Sequence, residues 1–148
     1  MTDQIDGLAY AGSFLHDAFA DFDEKVAAKA RQGVRVRLLF GDPQSDAVAL
    51  RGKEEGIGEL MAGRCALNWA YGKPFLETPG IEAREHRSTL YASLYRFDDT
   101  LLANTHVLGA AASHSPVRHF RKVVGGRLFD HYLGGFERPW ESAKPHVT

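Results

Sequence analysis

Thr89-Leu90-Tyr91-Ala92-Ser93-Leu94-Tyr95-Arg96-Phe97-Asp98-Asp99-Thr100-Leu101-Leu102-Ala103-Asn104-Thr105-His106-Val107 is the stretch from which the fold is best read. Leu90 to Phe97 and Leu101 to Val107 are two runs rich in leucine, tyrosine and phenylalanine, and Asp98-Asp99-Thr100 joins them, so the segment predicts a β-hairpin. Alternate side chains of a strand share a face, which sets Tyr91, Ser93 and Tyr95 on one side and Leu94 and Arg96 on the other. On the return strand Asn104 and His106 share a face. Polar groups closing an otherwise apolar strand require a partner or a ligand. The hairpin therefore converges on one polar patch.

Upstream, Ile5 to Phe14 reads as a strand and about Ala18 to Arg31 as a helix with acidic residues in its first turns. Gln32-Gly33 stops that helix, and Val34 to Phe40 alternates branched apolar residues with Arg35 and Arg37, predicting a second strand. The resulting β-α-β unit implies parallel strands with a right-handed connection. Gly41 to Asp46 is a turn-rich loop in which Ser45 or Asp46 can cap a helix beginning near Ala47. Glycines at 52, 56, 58 and 63 divide the next region into helices over Ala47 to Glu55 and Gly58 to Trp69. Tyr71-Gly72-Lys73-Pro74 reads as a loop before a short strand at Ile81 to Glu85. Downstream the chain loosens from Gly109 to Pro116. It closes on Phe129, Tyr132, Leu133, Phe136 and Trp140, spaced as an apolar helical face. Pro139 and Pro145 discourage helix beyond it, and any disordered tail is confined to the few residues after about 143. The expectation is an α/β fold, a single domain over 1–148 with a mixed sheet and helices on its faces.

With 148 residues, one core is the default, and neither metals nor disulfides are needed to complete it. Acidic and basic side chains nearly cancel, to a formal charge of -1. The whole chain then lacks the positive field that attracts nucleic acid or anionic lipid, so the expectation is no membrane and no direct nucleic-acid binding by this domain. Cys65 has no partner cysteine and reads as a small buried side chain in a reducing compartment. Gly7 to Leu15 is too short to span a bilayer and follows Asp3 and Asp6 rather than basic residues, so neither an anchor nor a secretory signal is expected. A cytoplasmic location follows.

The order of elements and the hairpin together resemble one half-unit of the phospholipase D superfamily. That family carries a histidine, any residue, a lysine, four more residues and an aspartate on such a hairpin, followed by a glycine and a serine. The matching register here is Tyr91-Ala92-Ser93, Leu94 to Phe97, and Asp98, with Thr105-His106 at the glycine-serine position. Tyrosine stands for the nucleophilic histidine and serine for the phosphate-binding lysine; the aspartate alone matches. A phenol with a pKa near 10 is a poor nucleophile and proton shuttle, and serine brings no positive charge to a phosphoryl transition state. A closer resemblance is to the degenerate phospholipase D-like domain at the C-terminus of some helix-turn-helix transcription regulators. It is carried by Gly33-Val34-Arg35-Val36-Arg37-Leu38-Leu39 with Gly41-Asp42-Pro43, and by Thr89-Leu90-Tyr91, Tyr95-Arg96-Phe97-Asp98-Asp99 and Asn104-Thr105-His106-Val107. This resemblance implies a sensory or ligand-binding domain, a homodimer in which two hairpins meet across a twofold axis, and a helix-turn-helix partner or fused region. No such motif fits before Ile5, so the domain is expected to stand alone or to be cut from a longer protein.

The candidate ligand-binding residues are Tyr91, Ser93, Asn104, His106, Arg84 and His86, the last two adding positive charge beside the patch. The ligand expected is small and polar or anionic. The alternative is a phosphodiesterase or group-transfer enzyme in which His106 replaces the missing histidine, with Asp98 as the second catalytic residue. Against it stands a histidine merely satisfied by hydrogen bonds at a strand end. His114 and His119, with His86 and Asp98, match no metal-ligand spacing, so neither metal nor other cofactor is expected. Arg118, Arg121 and Lys122 could clamp an anion at the start of the last helix, or form a solvated helix face. The Asp42 to Asp46 loop offers backbone donors at a helix start, although its aspartates oppose an anion. Tyr10, Phe14, Trp69, Tyr71, Tyr91 and Tyr95 could wall a pocket for a flat ligand or pack in the core.

Overall fold

The structure, a computed structural model, describes residues 3–11, 21–110 and 115–145. Along the chain run β1 (Gln4–Leu8), α1 (Phe22–Arg31), β2 (Arg35–Gly41), α2 (Asp46–Glu54), α3 (Leu60–Leu76), β3 (Ile81–His86), β4 (Ala92–Phe97), β5 (Thr100–Thr105), β6 (Val117–Arg121), α4 (Leu128–Ser142) and β7 (Lys144–Pro145). The strands of the described residues form a seven-stranded mixed sheet ordered β6-β5-β4-β1-β2-β3-β7. β1, β2 and β3 are parallel neighbours, and β4 returns antiparallel to β1. The α/β reading therefore holds, as do the β-α-β unit and the hairpin.

One hydrophobic cluster lies on each side of the sheet. Ile5, Val36, Leu38 and Tyr95 face α1 and the C-terminal half of α3, packing against Phe22, Val26, Ala30 and Trp69. Leu8, Leu39, Leu94 and Leu101 face α4, packing against Phe129, Phe136 and Trp140. Strict alternation along β1 and β2 delivers both faces, and each fully buried aliphatic side chain contributes about 1.5–3 kcal/mol. Both crossovers step in one direction, so a common handedness puts both helices on one side. α4 is left to cover the other.

A buried ion group secures α4. Arg37 Nε and Nη2 donate to the Asp6 carboxylate at 2.8 and 2.9 Å, Nη1 and Nη2 donate to Glu137 at 3.0 and 2.7 Å, and the guanidinium lies 4.7 Å from the centre of the Phe136 ring. A two-stranded alternation thus carries a charge into the core because a bidentate carboxylate waits there. Arg96 Nη1 adds a longer contact to Asp6 at 3.4 Å.

Several sequence expectations change. β1 ends at Leu8, whereas Phe14 and the expected helix start at Ala18 lie outside the described residues. The expected loop at Tyr71 to Pro74 is instead the last part of α3. Phe75 and Leu76 pack against the α1-side cluster, and that burial outweighs the local cost of Pro74 near a helix end. Ser45 caps α2 through its side-chain oxygen, which accepts from the Val48 N–H at 3.2 Å. The break between α2 and α3 occurs where expected, and Gly52 has a steric reason: a Cβ there would sit 2.1 Å from the Gly58 carbonyl oxygen. The basic segment 118–121 belongs to an edge strand rather than the start of α4. Lys144-Pro145, where a disordered tail could begin, pairs with Glu85 and Arg84. Among the described residues no helix is long and apolar enough to cross a membrane.

Candidate functional site

The C-terminal ends of β1, β2 and β3, the start of β4 and the end of β5 all reach one edge of the sheet. Strand ends of open α/β sheets are where ligands gather, because helices and loops diverge there. At this edge Tyr10 lies between two histidines, with ring centres 5.7 Å from His86 and 6.2 Å from His106. Its hydroxyl accepts from the Leu90 N–H at 2.8 Å and donates to the Ser88 carbonyl at 3.3 Å. Tyr10 therefore pins the 87–91 connection over the strand ends.

Both imidazoles are engaged at both nitrogens. His86 Nε2 donates to the Ala9 carbonyl at 2.9 Å, and its Nδ1 accepts from the Ser88 N–H at 3.2 Å. His106 Nδ1 donates to the Leu90 carbonyl at 3.1 Å, so its Nε2 is the acceptor for the Ser93 hydroxyl at 3.0 Å. The carbonyl contact decides each tautomer, since a carbonyl can only accept. Burial pushes His106 down to about 4 and the nearby Arg51 charge pushes the same way, while the Leu90 hydrogen bond opposes both. His86 is likewise lowered by burial, against the Ala9 hydrogen bond and the Asp42 charge. Both are neutral at pH 7. Tyr95, raised by burial, hydrogen-bonds Ser93 and extends the chain of contacts inward.

Arg51 and Cys65 complete the edge. Arg51 is buried, its Nε donating to Glu55 and its Nη2 to the Ala110 carbonyl at 3.3 Å, which ties α2 to the segment after β5. Cys65 donates to the Tyr10 carbonyl at 3.4 Å and is pushed up to about 12 by burial, then by Asp42. It is an inert thiol. A Cβ on Gly41 would come within 3.1–3.3 Å of Val48, Tyr10 and Cys65, so a side chain there would require these three neighbours to shift.

The predicted residues divide. Ser93, His106 and His86 meet through the Tyr10 ring, and Ser93 stands opposite Asn104 in the β4–β5 register. Asn104, fully buried, donates through Nδ2 to the Ser115 and Pro116 carbonyls at 3.1 and 3.4 Å, and so anchors the approach to β6. Tyr91 does not join them: it precedes β4 and its side chain is 81% exposed. Arg84 points to the α4 side, 4.0 Å above the Trp140 ring, and Nη1 donates to the Trp140 carbonyl at 2.9 Å. It supplies no charge to the patch. Asp98 sits at the opposite end of the hairpin, at φ 54, its Oδ1 accepting from the Asp3 and Gln4 N–H groups at 2.7 and 2.9 Å. It fastens β1 to the turn and takes no part in a His106 chemistry.

His119 is on β6, His86 at the end of β3 and Asp98 at the far turn, while His114 lies outside the described residues. Among the described residues no group of three or more His, Cys, Asp or Glu is arranged to hold a metal. The aromatic pocket does not form either: Tyr10, Trp69 and Tyr95 are buried, Tyr71 and Tyr91 are exposed, and Phe14 is outside the described residues. The Asp42 loop is closed on itself, with Arg87 Nη1 on Asp42 at 2.6 Å and Asp42 Oδ1 accepting from the Gln44 N–H at 2.9 Å. Sequence reading missed Arg51 in this role, because one arginine in a short polar helix carries no local sign of burial.

No protein family model matches the chain, and no curated protein matches it. Among solved structures the chain is similar to TrmBL2, described as an archaeal chromatin protein that shows a novel mode of DNA binding, with a TM-score of 0.55 at 13% sequence identity. The match covers 97% of this chain and 45% of that one, so the chain spans less than half of that protein's structure. The likeness is one of fold. It nevertheless corrects the expectation of no direct nucleic-acid binding, since a protein sharing this fold is described as binding DNA. A total charge near zero does not exclude such contact, because charge acts locally: Arg118, His119, Arg121 and Lys122 line one exposed edge of the sheet.

Proposed function

We propose that the chain is a phospholipase D-like half-unit whose inherited chemistry has been replaced by recognition, and that it binds a small polar or anionic ligand at the strand-end edge around His106. The observation that carries this reading is the state of His106. Its two ring nitrogens are both held by the chain and its pKa is pushed down to about 4. An imidazole so fixed is a weak base and an occupied nucleophile. It serves to position Ser93 and the 87–91 connection.

The ligand meets the rim of this network, where the Arg51 guanidinium, paired with Glu55, lies close enough to act on His106, and where Tyr91 and Arg87 are exposed in the 87–91 connection. A regulatory role accords with the resemblance to transcription-regulator domains, and pairing of two half-units across a twofold axis is part of the same proposal. Nucleic acid belongs among the partners to be tried, given what the structurally similar chromatin protein is described as binding. The test is a thermal-shift and NMR titration of the full chain with inorganic phosphate, pyrophosphate, acetate and short duplex DNA. A ligand of the folded state raises the Tm. The account expects one of the small anions to do so and to move the His106 and Tyr10 resonances, with the response reduced in Arg51→Met. Shifts confined to other surfaces would contradict it.

A further inference from the structure

The two outer strands of the sheet, β7 and β6, leave lateral edges that are unlike. At one, β7 is two residues long and contains Pro145, which lacks the N–H a further strand needs. At the other, β6 runs for five residues, Val117–Arg121, and no described strand lies outside it. Long open edges invite strand addition, and proteins usually shorten, bend or cover them. Here Val117, Arg118, His119 and Arg121 are exposed, and Phe120 turns inward to stack on Tyr132 at 4.8 Å.

Beyond the strand the chain runs through Lys122, Val123 and Val124 into a turn closed by the Gly126 N–H donating to the Val123 carbonyl at 3.0 Å. Val123, Val124 and Leu128 are all exposed there, with Val124 fully so. Residues 117–122 thus hold three cations and a histidine with no acidic residue, beside an exposed aliphatic cluster. Lys122 has a 3.9 Å contact to Asp130, and neither Arg118 nor Arg121 forms an ion pair with an acidic side chain of the described residues.

We infer that β6 is a docking edge for an extended acidic segment of a partner protein, which adds to the sheet outside β6 and sets its acidic side chains against Arg118, Arg121 and Lys122. An open row of backbone groups matches a peptide backbone, and alternate side chains of an added strand reach both faces. The surrounding charge selects acidic sequences and opposes a second copy of the same basic strand. Aliphatic residues of the partner cover Val123, Val124 and Leu128. Nucleic acid would use the charge but leave the backbone edge and the valines unmatched.

The test is fluorescence anisotropy of the full chain with a fluorescein-labelled, amidated hexapeptide of four glutamates followed by two valines, whose glutamates reach both faces of the added strand, as Arg118 and Arg121 do. Saturable binding is expected, weakened about tenfold or more in R118E/R121E and unchanged in K53E/R64E, which makes the same charge change on α2 and α3. The same peptide N-methylated on every amide should not bind, since it keeps no N–H on either side to pair with β6. No saturable binding, equal binding to R118E/R121E, or equal binding of the methylated peptide overturns the inference. So does short duplex DNA binding through Arg118 and Arg121 where the peptide does not, or a dimer in native mass spectrometry that R118E/R121E alone dissociates.

Discussion

His106 makes a pH-dependent contribution whose direction follows from its burial. Its folded pKa of about 4 lies below the ordinary histidine value, so between the two the unfolded chain binds more protons than the folded one. Stability from this residue is complete above the ordinary histidine value and is lost progressively as pH falls from there through about 4. His86, lowered by the same cause, adds with the same sign. Urea unfolding at pH 7.5, 6 and 4.5 should show this decline, and His106→Gln should make it shallower; an unchanged slope would show that His106 titrates normally. Asp98 tests a different point. Asp98→Ala removes the acceptor of two backbone N–H groups at the turn, so a loss of about 1–2 kcal/mol is expected in thermal unfolding, with the response to ligand at the other sheet edge unaltered. The sequence register placed Asp98 correctly on the hairpin but not its job, because a match of spacing says nothing about which end of a strand faces the site.

At the scale of elements, α4 and the sheet depend on one guanidinium. Arg37 joins the Asp6 carboxylate, which is 1% exposed, to the Glu137 carboxylate, which is 42% exposed. Arg37→Ala should cost about 3–5 kcal/mol, because it strands a buried carboxylate, whereas Glu137→Ala should cost about 1 kcal/mol or less. Equal losses in equilibrium unfolding would mean that Asp6 is not the partner that matters. The apolar face of α4 was legible because Phe129, Phe136 and Trp140 fall at helical spacing. β6 was not, since an edge strand with one inward phenylalanine shows neither alternation nor a run of branched residues. α3 was read too short for a related reason: Pro74 is a local signal, and the packing of Phe75 and Leu76 that overrides it is not.

Taken as a whole molecule, the chain puts its parallel strand ends, its buried histidines and a buried arginine at one edge, and its basic strand at one side. The β1–β2 and β4–β5 pairings were implicit in the β-α-β unit and the hairpin, whereas the β1–β4 junction and both outer strands were not. The convergence of Tyr10, His86, Ser93 and His106 was only partly so, because Tyr10 arrives from the first strand and Arg51 from a helix distant in sequence. The proposal of recognition rests on that convergence, and catalysis is the other reading the sequence left open. Turnover of bis(p-nitrophenyl) phosphate by the purified chain distinguishes them most directly. The account predicts a rate indistinguishable between the wild type and His106→Ala; hydrolysis by the wild type that disappears in His106→Ala would contradict it.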